Sequence, residues 1–143
     1  MIRVVIDTNC LRASIPPKSP YYQLYLSFIT GAFEWYVSNE ILFEYDEILS
    51  KTYSPETARE ILHQLTVAPN TVFAEPFFRW NLIENDPDDN KFSDLAISSN
   101  CDFLVTNDRD FAIFKYIAFP KLRVVDIEWF LSYLIELETK KFS

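Results

Sequence analysis

Two short apolar runs narrow the choice of fold for this chain more than any other feature. Residues 2–6 (IRVVI) pass straight into Asp7-Thr8-Asn9, and residues 102–106 (DFLVT) pass straight into Asn107-Asp108. Neither run shows the steady apolar–polar alternation of a half-exposed strand. Such strands are covered on both faces, as in the interior of a parallel sheet. Parallel neighbours need long crossover connections, usually helical, so helices should lie between the strands.

The intervening sequence supplies them. Tyr21–Thr30 carries Leu24, Tyr25 and Phe28 at helical spacing, and Gly31 sits where a helix ends in a left-handed residue. Residues 34–37 predict a second strand. Ser38 or Asn39 is placed to cap a helix with Ile41, Leu42, Tyr45, Ile48 and Leu49 along one side. Ser54-Pro55 opens a helix over residues 56–65. Residues 71–74 predict a strand, 89–99 a helix, 110–114 a short helix and 123–125 a last strand. Asp126 is placed to cap a final helix that turns Ile127, Phe130, Leu131, Leu134 and Ile135 inward. Pro16, Pro17 and Pro20 mark a loop. No repeat or linker divides the chain, so residues 1–143 read as one α/β domain.

Composition removes several classes. A single glycine excludes a glycine-rich phosphate loop. Cys10 and Cys101 are the only cysteines, which rules out a disulfide framework and a four-thiolate zinc site and fits two small buried residues in a reducing cytoplasm. No apolar run approaches the ~18 residues of a membrane span, and the N-terminus lacks a signal-peptide core, so a soluble cytoplasmic protein is expected. The net charge of −8 argues against broad electrostatic binding of nucleic acid and is compatible with carboxylates gathered around a metal.

Open parallel sheets bind ligands at the carboxyl ends of their strands. Asp7 and Asp108 stand at two such ends, Asp86, Asp88 and Asp89 open a helix, and Glu44 lies within another. Carboxylates sharing one pocket repel, and a divalent cation removes that repulsion. An all-oxygen donor set favours Mg²⁺ or Mn²⁺, which can activate water for attack on a phosphodiester. Taken singly, each of these acids is equally readable as a turn residue, a helix cap or a solvated charge.

Asp7 in IDTN, Glu44 in ILFEYDEIL, Asp89 in DPDDNKFSDLAI and Asp108 in LVTNDRDF together resemble the PIN domain. The nearest likeness is to bacterial toxin components akin to VapC-type ribonucleases. The resemblance runs from Ile2 to the C-terminal helix. It implies a central parallel sheet of four to five strands flanked by helices, and a Mg²⁺- or Mn²⁺-dependent endoribonuclease. Asp7, Glu44, Asp89 and Asp108 carry over as the acidic quartet that holds metal and performs catalysis. Asn9 and Thr106 match supporting polar positions, and Asp86 and Asp110 match acids of the subgroup. For the third acid Asp89 ranks first and Asp94 second, with Asp88 adjacent. The resemblance further implies an RNA substrate, a cognate antitoxin whose C-terminal arm covers the pocket, and a homodimer.

Among the basic residues near these acids (Arg12, Lys18, Lys91, Arg109 and Lys115), Arg12 and Lys91 are the favoured phosphate contacts. Each also reads as an ordinary solvated charge. His63, the only histidine, lies far in sequence from every acid and reads as a surface residue. The competing reading is a catalytically weak interaction module, docking through Phe77, Phe78 and Trp80 or through Tyr21, Tyr22 and Tyr25; those aromatics are equally readable as core. A phosphoacceptor receiver fits worse, because the late strand RVVD ends in Asp126 rather than Lys; a haloacid-dehalogenase-type phosphatase would need DxD where Asp7-Thr8-Asn9 stands, and no basic recognition helix supports a helix-turn-helix protein.

Overall fold

The two apolar runs lie side by side at the centre of a sheet. The computed structural model describes residues 1–141. In chain order the elements are β1 (Arg3–Ile6), α1 (Thr8–Ser14), α2 (Tyr22–Ile29), β2 (Glu34–Val37), α3 (Asn39–Thr52), α4 (Pro55–Val67), β3 (Thr71–Phe73), α5 (Asn90–Ser98), β4 (Phe103–Val105), β5 (Val124–Val125) and α6 (Ile127–Lys141). Two 3₁₀ segments, Pro87–Asp89 and Arg109–Lys115, precede α5 and β5. The sheet has five strands in the order β3-β2-β1-β4-β5, and every pairing is parallel.

That order places the site. The chain builds outward from β1 through β2 to β3, then returns across the sheet to place β4 on the other side of β1. The reversal leaves a crevice between diverging connections at the carboxyl ends of β1 and β4. Ile6 pairs with Val105, and the Asp7 amide donates to the Val105 carbonyl at 3.0 Å, so Asp7 and Thr106 emerge level with one another.

Burial follows the sequence pattern. Val4, Val5, Ile6, Leu104 and Val105 are fully covered, as expected of inner strands. Much of the aromatic content fills the core: Phe28 meets Trp35 edge-on at 5.0 Å, and Phe33 meets Phe130 at 5.2 Å. Tyr45 on α3 accepts from the Trp35 indole and donates to the Ile6 carbonyl, pinning the last residue of β1.

The caps form as their side chains dictate. Ser38 accepts from the Ile41 amide, Ser54 from Thr57, and Asp126 from Trp129 at 2.7 Å. Gly31 takes φ +84° after α2, as its position required.

The structure departs from the sequence reading in three places. Residues 8–14 form a helix where only turn residues and the proline loop were read, because Asp7 caps it. The short helix expected after Asp108 is present as a 3₁₀ segment, whereas Ile135 on α6 faces solvent. Cys101 is half-buried rather than buried. Among the described residues no helix is long and apolar enough to cross a membrane.

Candidate active site

The crevice gathers acids from remote parts of the chain, and most arrive as helix caps. Asp7 accepts from the Cys10 amide at 2.9 Å at the start of α1. Asp108 accepts from the Asp110 amide at 2.9 Å, and Asp86 from the Asp88 amide at 3.2 Å. Capping fixes each carboxylate and places it where the N-terminal peptide dipoles favour negative charge. The capping reading and the site reading of these residues are therefore compatible.

Asp7 is 5 % exposed, and its second oxygen takes the Thr106 hydroxyl. That hydroxyl also accepts from the Asp108 amide at 3.0 Å, so Thr106 links the ends of β1 and β4. Burial pushes the Asp7 carboxyl above its ordinary range, against the bonds from Thr106 and Cys10, and Asp108 adds repulsion.

Asp89 differs from all of these. It stands at the N-cap position of α5 yet makes no capping bond, and its Oδ2 is buried with no partner. Burial, then the negative charges of Asp86, Asp108, Asp110 and Asp7, push its carboxyl up to about 7. One carboxylate oxygen from each of Asp86, Asp89 and Asp110 lies within 4.8 Å of the others. A buried, unpartnered oxygen surrounded by like charges is an unsatisfied acceptor that a proton or a bound cation would relieve. The donors are all carboxylate, which fits a hard divalent ion. Burial, and then the charge of Asp7, push the nearby Cys10 thiol well above its ordinary value.

Glu44 sits at the edge of the crevice, with its side chain 21 % exposed. One oxygen takes the Thr8 hydroxyl, and the other takes Lys91 Nζ at 2.8 Å. Lys91 also reaches Asp88 at 3.0 Å, and its side chain is 9 % exposed. Burial alone would lower the Lys91 pKa, but the bonds to Glu44 and Asp88 outweigh it and raise it. The same Lys91 bond holds the Asp88 carboxyl below its ordinary value. Lys91 is thus a buried ion-pair partner rather than a solvated charge.

The structure brings Asp7, Asp86, Asp89, Asp108 and Asp110 to one place, with Glu44 and Thr106 alongside. The tightest trio is Asp86, Asp89 and Asp110, two of which the sequence ranked as supporting. Asp94 is elsewhere: it is 1 % exposed and accepts from the Trp80 amide at 3.1 Å on another side of α5. Asn9, Arg12 and His63 are exposed. Thr8 and Tyr45 were missed. Thr8 had a signal in its place directly after a capping aspartate; Tyr45 reads from the sequence only as core.

A parallel α/β domain with acids collected at its switch point is the class this arrangement defines. The chain belongs to the PIN domain family, whose pattern it matches over residues 3–110. That span holds every acid of the crevice, with Asp110 its last residue. No curated protein sequence matches the chain significantly.

Three solved structures share the fold. VapBC2 from Rickettsia felis, bound to a DNA fragment from its promoter, is 20 % identical with a TM-score of 0.61, covering 87 % of this chain and 98 % of that one. DNA-bound VapBC from Salmonella typhimurium is 18 % identical with a TM-score of 0.60, covering 89 % and 99 %. The Mycobacterium tuberculosis toxin VapC20, which cleaves the sarcin–ricin loop, is 11 % identical with a TM-score of 0.58, covering 77 % and 93 %.

Proposed function

We propose that this protein is a Mg²⁺- or Mn²⁺-dependent endoribonuclease and the toxin of a toxin–antitoxin pair. The observation that carries the reading is Asp89, a half-buried carboxylate whose Oδ2 is buried without a hydrogen-bond partner, set among four other acids at the switch point. Asp7, Asp89 and Asp108 would hold the metal, flanked by Asp86 and Asp110. When bound, the ion neutralises the cluster, lowers the pKa of a water and offsets charge on the phosphate.

The chain's own residues set the geometry. Thr106 and the Cys10 amide hold Asp7 in one orientation. Thr8 and Lys91 hold Glu44 at the edge, where it can orient the attacking water. Water adds to phosphorus, the bond to the 3′ oxygen breaks, and a 5′-phosphate remains on the other fragment.

The match to the PIN family and the fold shared with VapBC assemblies support a cognate antitoxin as partner; a homodimer belongs to the same proposal. One observation favours the module reading: Phe77 is 81 % and Phe78 55 % exposed, an apolar surface suited to a protein partner. The two readings part on one variant. Asp7→Asn is expected to abolish RNA cleavage in Mn²⁺ and to remove Mn²⁺ binding in calorimetry, with the circular dichroism spectrum unchanged. Undiminished cleavage by the purified variant rules the mechanism out, and a wild type that binds no Mn²⁺ leaves the module.

A further inference from the structure

Beside the acids lies a cleft of about 650 Å³, reached through Thr106, Asn107 and Asp108 and walled by the segment after Asp108, by β5 and by the start of α6. We infer that this cleft binds the RNA strand next to the cleaved phosphate, through the unpaired cations Arg109, Lys115 and Arg123. The inference rests on the nuclease reading and adds to it the place where the substrate backbone lies.

Three observations carry it. First, the cations are free. The ion pairs among the described residues use Arg3, Lys51, Arg79 and Lys91, and none of Arg109, Lys115 and Arg123. In a chain of net charge −8, these three cations offset Asp108, Asp126 and Glu128 in the same lining and leave the cleft locally neutral.

Second, the acids of the same wall are tied to the protein. Asp126 caps α6 through the Trp129 amide at 2.7 Å, Glu128 accepts from the Tyr21 hydroxyl at 3.2 Å, and Asp108 accepts from the Asp110 amide. Each is anchored through one oxygen by an internal donor, whereas the three cations have no ion-pair partner among the described residues.

Third, Arg123 is held in place. Its guanidinium lies 4.8 Å from the centre of the Trp129 ring and 5.2 Å from that of Phe103. Trp129 in turn stacks on Tyr133 at 5.2 Å with an 11° tilt. Stacking spends none of the five guanidinium donors, so Arg123 keeps them for a phosphate. Lys115, Arg123 and Trp129 also lie outside the residues matched to the PIN family, so this wall belongs to the chain's own C-terminal segment.

Fluorescence anisotropy of fluorescein-labelled U12 RNA, titrated at several salt concentrations, tests the inference. The measurement uses the full chain in an Asp7→Asn background, so that cleavage does not interfere. For single strands each neutralised phosphate contributes about 0.7 to the slope of log K against log salt. Arg109→Gln with Lys115→Gln is expected to flatten the slope by about 1.4 and to weaken binding at least about tenfold at low salt. Adding Arg123→Gln takes the slope change to about 2. Arg59→Gln, an exposed cation on α4, serves as the distant control and leaves the slope unchanged.

Arg109 and Lys115 are solvent-exposed, so the double variant tests the idea even where loss of Arg123 disturbs the aromatic wall. An unchanged slope and affinity in the double variant overturns the proposal. So does a cleft that binds a poly-glutamate peptide through these cations while U12 is ignored, which would make it a polypeptide dock. A chain that binds U12 through the cleft but never cleaves RNA in Mn²⁺ keeps the cleft and loses the nuclease. A chain that cleaves but is indifferent to the charge removal keeps the nuclease and loses the cleft.

Discussion

Asp89 caps α5 in position and Asp94 lies within it; each has one buried, unpartnered carboxylate oxygen, yet they belong to different machinery. Asp94 faces the segment before the helix. Its carboxyl takes the Trp80 and Asn81 amides, and one helical turn earlier Asn90 accepts from the Ile83 amide at 2.9 Å and donates to its carbonyl at 3.0 Å. Together they clasp residues 80–83 against α5, including Asn81 at φ +51°. Burial raises the Asp94 pKa while those amides pull it down. Asp89 receives no such donors, and its neighbours are acids. What separates the two carboxylates is the company each keeps: backbone N–H groups satisfy Asp94, while Asp89 meets other acids and is relieved by a proton or by a bound cation.

Exchanging the two roles is the strongest test. Asp89→Asn removes the negative charge the metal would bind, so RNA cleavage in Mn²⁺ should fall by on the order of a thousandfold. Thermal stability without metal should hold or rise, since a repelled carboxylate is lost. A variant that melts far below wild type while its folded fraction still cleaves would erase the distinction.

Asp94→Ala should do the reverse. Freeing buried backbone donors costs about 2–3 kcal/mol in urea denaturation, while turnover per folded molecule stays close to wild type. Loss of cleavage at unchanged stability would instead move Asp94 into the site.

A pH series sharpens the contrast. Asp89 titrates at about 7 in the fold against 3.8 for a free aspartate. Its protonated form therefore favours the fold, and that contribution is lost as pH rises from about 4 through 7. In EDTA, the stability of Asp89→Asn relative to wild type should grow across that window, and Mn²⁺ affinity of wild type should climb through it. A difference that is flat with pH counts against the crowded-acid account.

The smallest expected effect is one of coupling. Asn90→Ala and Asp94→Ala share a clasp and should interact by about 0.5–3 kcal/mol in a double-mutant cycle, whereas Asp89→Asn with Asp94→Ala should be additive within about 0.5 kcal/mol.

Much of this was legible without coordinates. The five strands, the capping serines and Asp126 read directly, because capping and two-sided burial are properties of neighbouring residues. Asp86 and Asp110 were visible as acids but not as partners of Asp89, since their closeness is a matter of how two 3₁₀ segments approach across the crevice. Lys91 could not be told from a solvated charge, because its counter-ion Glu44 arrives from a different helix.

The amino-acid sequence by itself determined which segments become strands and helices, and that carboxylates would stand at their junctions, since those outcomes depend on burial pattern and on bonds spanning a few residues. Tertiary structure alone decided which carboxylates share a pocket. Placing β4 against β1, 99 positions apart at the Thr106–Asp7 bond, is what carries the acids of β4 and α5 to those of β1. Charge repulsion and hydrogen-bond satisfaction act through space, and no local pattern encodes the distance between segments that meet only in the fold.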